Sequence, residues 1–352
     1  MKALLIYIAL LGGAPLIDAQ SINVDLDRVP PITRINLDLS RKVPISLPSN
    51  AIHIMPRCRE GRCYGLFATD PGHSFAEQIG YFDINGKSST ADLSQLSDLK
   101  YVSVLDLAPT EDGLLALIHA EVKQAFGAPN TSDRRGGAWF LARFSKDGEY
   151  SGRTRLELDF RPVRMAALPK NRLILSGFDI GTGTALLVTL QDDGTQQQHI
   201  DDEGVLPQKE ALLKASTLKI DQNSDAGMKA IAMSSVLSGF EFGYAGEEVL
   251  FLSSTSAGTS VLSIRGSVIE RTKLQMPVGV VGSTVVPTDH GWLVRAFSSQ
   301  ADVALLLEFD RDTGALVRQL DTVPSTNIIF REDDTYYALW SEDGHTYVVS
   351  NN

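Results

Sequence analysis

Cysteine is nearly absent, with only Cys58 and Cys63 among 352 residues. That scarcity excludes a cysteine-dense disulfide scaffold, and the missing Cys-x-x-Cys-His phrase excludes c-type haem attachment. Basic charge is also short: 32 Lys and Arg stand against 43 Asp and Glu, a formal net charge of -11. Such a surface repels a polyanion, so no nucleic-acid partner is expected. Long helical apolar periodicity is missing, which removes coiled coils and α-solenoids. Long hydrophobic runs are missing too. The longest, Ala3 to Ile17, is about 15 residues, short of the roughly 20 that cross a bilayer.

That one apolar run sits in the layout of an export signal. Lys2 supplies a positive start, Ala3 to Leu11 is unbroken apolar sequence, and Gly12, Gly13 and Pro15 break a helix before Ile17-Asp18-Ala19. Residues 1–19 are read as a signal peptide cleaved after Ala19, although Ile17 is bulkier than the small residue usual there. The remainder, 20–352, is read as one soluble domain, exported to a periplasmic or extracellular compartment and monomeric. No second run is long enough to span a membrane.

In an exported chain the close pair Cys58 and Cys63 reads as a disulfide. Glu60-Gly61 is a turn signal between them, so the bridge would clamp the neck of a β-hairpin. Arg57, Arg59 and Arg62 surround it, and the favoured reading of these three is a solvated hairpin tip, with an anion contact as the alternative.

An internal repeat is carried by the turns. One phrase is an apolar strand followed by a polar glycine turn: Tyr81 to Ile84 then Asn85-Gly86, Phe140 to Phe144 then Ser145-Lys146-Asp147-Gly148, and Leu186 to Leu190 then Gln191-Asp192-Asp193-Gly194. It returns before Gly266 and Gly314. The second phrase is an apolar run, a turn and a β-rich strand, clearest in Val163 to Leu168, Pro169-Lys170-Asn171, Arg172 to Ser176. Its turns fall at 61, 113, 171, 246, 291 and 334, in steps of 52, 58, 75, 45 and 43 residues. Four short strands in roughly 45 residues is the arithmetic of a propeller blade.

The expected fold is therefore all-β: a β-propeller of six four-stranded blades, with seven as the alternative. The last blade runs out of chain before its outer strand. Either Ile32 to Leu39 or Lys42 to Leu47 is placed to supply it and so close the ring. The alternation of Phe144-Ser145-Lys146-Asp147-Gly148 with Ala166 to Leu173 resembles exported six-bladed propellers of the broad NHL-like type. The resemblance spans roughly residues 32 to 350 and implies architecture; such propellers include binding modules, lactonases and lyases, so it selects no function.

Candidate sites are few. His53, Arg164 and Lys229 lie on or beside innermost strands and are candidate channel-lining residues, against the plainer reading that they face a water-filled tunnel. Two segments interrupt the repeat, near 121–137 and 201–227, and insertions on a rigid scaffold commonly carry recognition. Asp221 to Gly227 has alternate oxygen side chains, but Ala226 and Ala232 occupy the positions where a calcium loop needs Gly and Glu, so an exposed turn is favoured. His53, His73, His119, His199, His290 and His345 form no metal-spaced pair, and no Gly-x-Ser-x-Gly phrase is present. Asp179 to Thr184 lacks a phosphate-loop lysine and reads as a strand connection. Trp139, Trp292 and Trp340 fall on strands and read as packing residues.

No cofactor is identifiable from these residues, and a divalent metal is the one that a site assembled across blades would take. The functional expectation is an exported, non-catalytic binding propeller for a protein, peptide or glycan of unknown identity. The alternative is an exported hydrolase, lactonase or lyase with its site at the channel mouth.

Overall fold

A computed structural model describes residues 30, 32–47, 52–67, 78–91, 93–122, 137–179, 181–200, 206, 240–255, 258–298, 303–324, 326 and 328–352. The signal segment, most of both insertions, the Asp221 to Gly227 turn and Lys229 lie outside these residues. Among the described residues, no helix is long and apolar enough to cross a membrane.

Two strands come first, β1 (Ile32–Asn36) and β2 (Val43–Ile45). Six antiparallel blades follow. The first holds β3 (Ile52–Arg59), β4 (Arg62–Phe67), β5 (Gln78–Asp83) and β6 (Ser88–Thr90). The second holds β7 (Leu99–Pro109), β8 (Gly113–Val122), β9 (Ala138–Ser145) and β10 (Tyr150–Leu156). The third holds β11 (Arg161–Leu168), β12 (Arg172–Asp179), β13 (Thr184–Gln191) and β14 (Gln198–His199). The fourth holds β15 (Glu241–Ala245), β16 (Glu248–Thr255), β17 (Gly258–Arg265) and β18 (Val268–Lys273). The fifth holds β19 (Val280–Pro287), β20 (Gly291–Ser298), β21 (Val303–Asp310) and β22 (Leu316–Val323). The sixth holds β23 (Ile328–Glu332), β24 (Thr335–Glu342) and β25 (His345–Ser350). The first strand of each blade is innermost, and these six touch one another around the axis.

The fold is thus a six-bladed β-propeller, and both candidate closing segments are used. β2 pairs antiparallel with β25 and completes the sixth blade, Val43 opposite Val348 and Ile45 opposite Thr346. β1 pairs parallel with β22, Ile32 opposite Gln319 through Asn36 opposite Val323, and gives the fifth blade a fifth strand. One stretch of chain therefore grips two neighbouring blades.

The hydrophobic core is not one mass but six slabs, one between each pair of adjacent blades. A sheet covered on both faces has no solvent side to alternate toward, which is why β12 reads Leu173-Ile174-Leu175 and β16 reads Val249-Leu250-Phe251-Leu252 with all seven side chains buried. The slab between the sixth and first blades contains the Cys58–Cys63 disulfide beside Phe82, Ile329 and Val348. The two cysteines face each other across β3 and β4, and Glu60 and Gly61 both take positive φ, 51° and 72°, as a two-residue type I′ turn requires. Closing so short a loop stabilises the fold by about 2 kcal/mol.

The two faces of the ring differ. Where the first and second strands of each blade join, the connections are two or three residues long, and on that same face adjacent blades are tied by polar contacts. Lys87 pairs with Asp147 at 2.7 Å, Arg143 with Asp192 at 2.8 Å, Arg311 with Glu248 at 2.6 Å and Arg331 with Asp289 at 2.7 Å. Arg172 donates to the Gly266 carbonyl at 3.1 Å, and the Ser46 N–H donates to the Ser88 hydroxyl at 2.9 Å, completing the circuit through the closing strand. The opposite face carries the long connections, 15 residues between β8 and β9 and 41 between β14 and β15.

Candidate functional site

At the axis, four inner strands each bring one charged side chain to the same place. Arg57 comes from β3, Asp106 from β7, Arg164 from β11 and Glu241 from β15. The Arg57 Nη1 donates to Asp106 Oδ2 at 2.9 Å and to the carbonyls of Leu107 at 2.9 Å and Met165 at 2.5 Å. Its Nη2 donates to Glu241 Oε2 at 2.9 Å, while Arg164 Nη2 meets Glu241 Oε1 at 3.3 Å. The Met165 N–H donates back to Asp106 Oδ2 at 2.5 Å. Two arginines and two carboxylates make the group neutral, and one guanidinium links all four blades.

Each member is local consequence as well as long-range contact. Inner strands are sandwiched by neighbours, so Asp106 within Val104 to Ala108 and Glu241 between Phe240 and Phe242 have no solvent to face except along the axis. Arg57 and Asp106 are 5% and 0% exposed, and Glu241 is 14% exposed. Burial pushes the Asp106 carboxyl above its ordinary value, opposed by Arg57 and Arg164. Burial also works against charge on Arg57, but Asp106 and Glu241 outweigh it and hold the guanidinium protonated more firmly than usual. The Tyr244 hydroxyl, pushed up to about 12 by burial, accepts the Ala167 N–H at 3.1 Å and adds a bond between the third and fourth blades.

Two of the three hairpin arginines do not stand at a solvated tip. Arg57 and Arg59 are buried, because β3 runs beside the axis rather than at the rim. Arg59 lies 6% exposed, its guanidinium 5.7 Å from the Tyr244 ring and 3.5 Å from Glu111. Only Arg62, on the second strand, keeps partial exposure. Of the candidate channel-lining residues, Arg164 joins the ion group, His53 lies on β3 and Lys229 is outside the described residues. Asp106 and Glu241, which the sequence reading passed over, were signalled only as charged residues inside apolar inner-strand runs.

Between the inner strands of the first, fourth, fifth and sixth blades the axis keeps a cavity of about 50 Å³, walled by Arg57, Glu241, Phe242, Val285, Ile329 and Phe330. That is room for a few waters and far below the roughly 300–1,000 Å³ of small-molecule sites. Among the described residues, no group of three His, Cys, Asp or Glu side chains is placed to hold a metal.

A second polar group lies off the axis, at the end where the long connections emerge. His119 on β8 stands opposite Trp139 on β9, their rings 4.5 Å apart, and the Arg161 guanidinium lies 5.8 Å from the Trp139 ring. Trp139 packs only partly into the slab between the second and third blades, whereas Trp292 is fully core. Burial first, and the Arg161 charge second, hold His119 below the ordinary 6.5; the Gly137 backbone and Glu121 oppose them. The unfolded chain therefore takes up this proton first as pH falls, so His119 subtracts stability from pH 6.5 downward until its folded value is passed. Replacing His119 with Gln should flatten the pH dependence of the unfolding midpoint in that window, and the His119 ring protons should titrate below 6.5 by NMR. A titration at or above 6.5 would contradict the geometry.

No family model matches the chain, and no curated protein matches it. Solved structures are similar to the chain at low identity. YCF48 bound to D1 peptide is 8% identical, with 86% of this chain and 78% of that chain covered at a TM-score of 0.43. The nidogen/laminin complex gives 11% identity, 75% and 76% coverage and a TM-score of 0.38. Myxococcus xanthus glutaminyl cyclase gives 11% identity, 91% and 97% coverage and a TM-score of 0.33.

Proposed function

We propose that this chain is an exported, non-catalytic binding propeller that contacts a protein, peptide or glycan through the face carrying its long connections. The observation that carries the reading is the axial ion group. A channel-mouth enzyme needs charged side chains directed at a substrate, and here Arg57, Asp106, Arg164 and Glu241 are directed at one another, beside a cavity with room for a few waters. The axis is a brace. The short-turn face also braces the ring, since Lys87, Arg143, Arg172, Arg311 and Arg331 each reach a neighbouring blade there. What remains for recognition is the opposite face, where exposed Val102, Val278 and Val281 stand near the starts of inner strands and where the segments near 121–137 and 201–227 attach. A disulfide at the ring's seam agrees with an oxidising compartment.

Photo-crosslinking residues placed at Val278 on the long-connection face and at Asp147 on the short-turn face test this. Partner adducts in the exported fraction should arise from Val278 and not from Asp147. Adducts from Asp147 alone, or turnover of a lactone or glycan by the purified chain, would overturn the reading.

A further inference from the structure

We infer that Arg161, whose guanidinium lies 5.8 Å from the Trp139 ring between the second and third blades, is a binding site for a carboxylate-bearing ligand. The inference rests on the reading of the long-connection face as the binding face and names the chemistry of one site on it.

Arginine is an expensive residue to desolvate, and six of the arginines this protein covers at least in part are paired with carboxylates. Arg57, Arg143, Arg153, Arg164, Arg318 and Arg331 each meet a carboxylate. Arg161 is half-buried, yet among the described residues its guanidinium has no ion pair and no hydrogen bond, only the Trp139 ring 5.8 Å away. In a chain carrying 43 acidic residues, such a gap is not explained by a shortage of partners. Burial alone accounts for the lowered proton affinity of Arg161, so no described carboxylate acts on it.

The geometry selects the ligand. A contact with an indole ring satisfies none of a guanidinium's N–H donors, and their fork matches the two oxygens of a carboxylate. His119 packs against Trp139 from the neighbouring strand. With His119 held below its ordinary 6.5, the charges felt beside Trp139 are Arg161 and the opposing Glu121 carboxylate. A monoanion fits this better than a phosphate dianion, which the surrounding net charge of -11 would also repel more strongly.

The test follows the Arg161 side-chain N–H and the Trp139 indole N–H by NMR in the whole chain, titrated with N-acetylglycine and, as the uncharged control, N-acetylglycinamide at matched ionic strength. Saturable shifts at millimolar N-acetylglycine, absent with the amide, are expected. Arg161→Gln should weaken binding about tenfold or more. Arg161→Lys should recover part of it, since charge returns without the fork. Trp139→Phe keeps the arginine and should weaken binding a few-fold, so the idea stays testable if Arg161→Gln fails to fold. A short peptide with a free C-terminus, against its amidated form, separates a peptide carboxylate from a free small acid. Equal response to acid and amide, or Arg161→Gln binding as tightly as the native chain, would sink the proposal. So would an Arg161 N–H already held by a carboxylate of this chain. Such a failure, with Val278 adducts retained, would leave the face assignment standing. Carboxylate binding dependent on Arg161, with adducts only from Asp147, would do the reverse.

Discussion

Replacing Arg57 with methionine is expected to lower folding stability by about 3–5 kcal/mol, the range for removing one partner of a buried ion pair. The magnitude comes from what is left behind rather than from what is removed. Asp106, wholly buried, would keep the Met165 N–H at 2.5 Å and the Arg164 charge, which Glu241 already shares at 3.3 Å. Methionine fills the space but offers neither carboxylate a proton. Arg57→Lys should fall between, because one ammonium cannot reach Asp106, Glu241 and two carbonyls together. Arg57→Met combined with Asp106→Asn should recover part of the loss, since it removes the stranded charge while Glu241 retains Arg164. The pH dependence has a definite sign. Burial already raises the Asp106 carboxyl above its ordinary 3.8, and losing Arg57 raises it further, so the folded variant binds a proton that the unfolded chain does not. Stability of the variant relative to the native chain should therefore improve as pH falls toward 3.8. Urea unfolding of the four proteins at two pH values decides the matter. A loss under about 1 kcal/mol for Arg57→Met, the size of an exposed pair, would mean that the axis is not braced by this group.

The blades were legible in the sequence because propeller repeats announce themselves at turns, where glycine is demanded by backbone geometry. The phrases ending at Gly86, Gly148, Gly194, Gly266 and Gly314 each join a third strand to a fourth, and each glycine has positive φ. The apolar runs between them could be read as strands covered on both faces. Ring closure was legible as a missing outer strand, with two segments available to fill it. That both are used, one of them as a parallel fifth strand in a different blade, required knowing which edges stay open. The axial group was not legible. Its members are 49 to 184 residues apart in sequence, and nothing in a strand's composition says which of its residues points down the axis. Arg57 was hidden most effectively by its neighbours. Beside Arg59, Arg62 and a Glu-Gly turn it has the composition of a solvated hairpin, and only the position of β3 in the ring buries it.

Two alanine substitutions at equivalent turns separate local geometry from blade packing. Gly314 and Gly266 adopt nearly the same left-handed conformation, φ +65° and +63°. A Cβ at Gly266 would meet nothing within 4 Å, whereas at Gly314 it would lie 2.1 Å from the Lys273 carbonyl oxygen, on the outer strand of the preceding blade. Gly266→Ala should therefore cost only the left-handed penalty, roughly 1–2 kcal/mol. Gly314→Ala should add roughly 1–3 kcal/mol for the overpacked contact, because the Gln275 N–H donates to the Gly314 carbonyl at 2.8 Å and holds the two blades at that spacing. Asparagine sharpens the contrast. It tolerates the left-handed region, so Gly266→Asn should be close to neutral while Gly314→Asn should remain severely destabilised. Midpoints of urea unfolding with unchanged slope give both differences. Equal losses at the two positions would reduce the repeated glycine to a turn signal. Unequal losses in the expected order would make it the residue that sets the distance between blades, a role shared by Gly86 against Val43 of the closing strand, where the added Cβ would fall 2.4 Å from a methyl group. On that account the N-terminal segment is held as the sixth blade's outer strand by the same close approach that spaces the fourth and fifth blades.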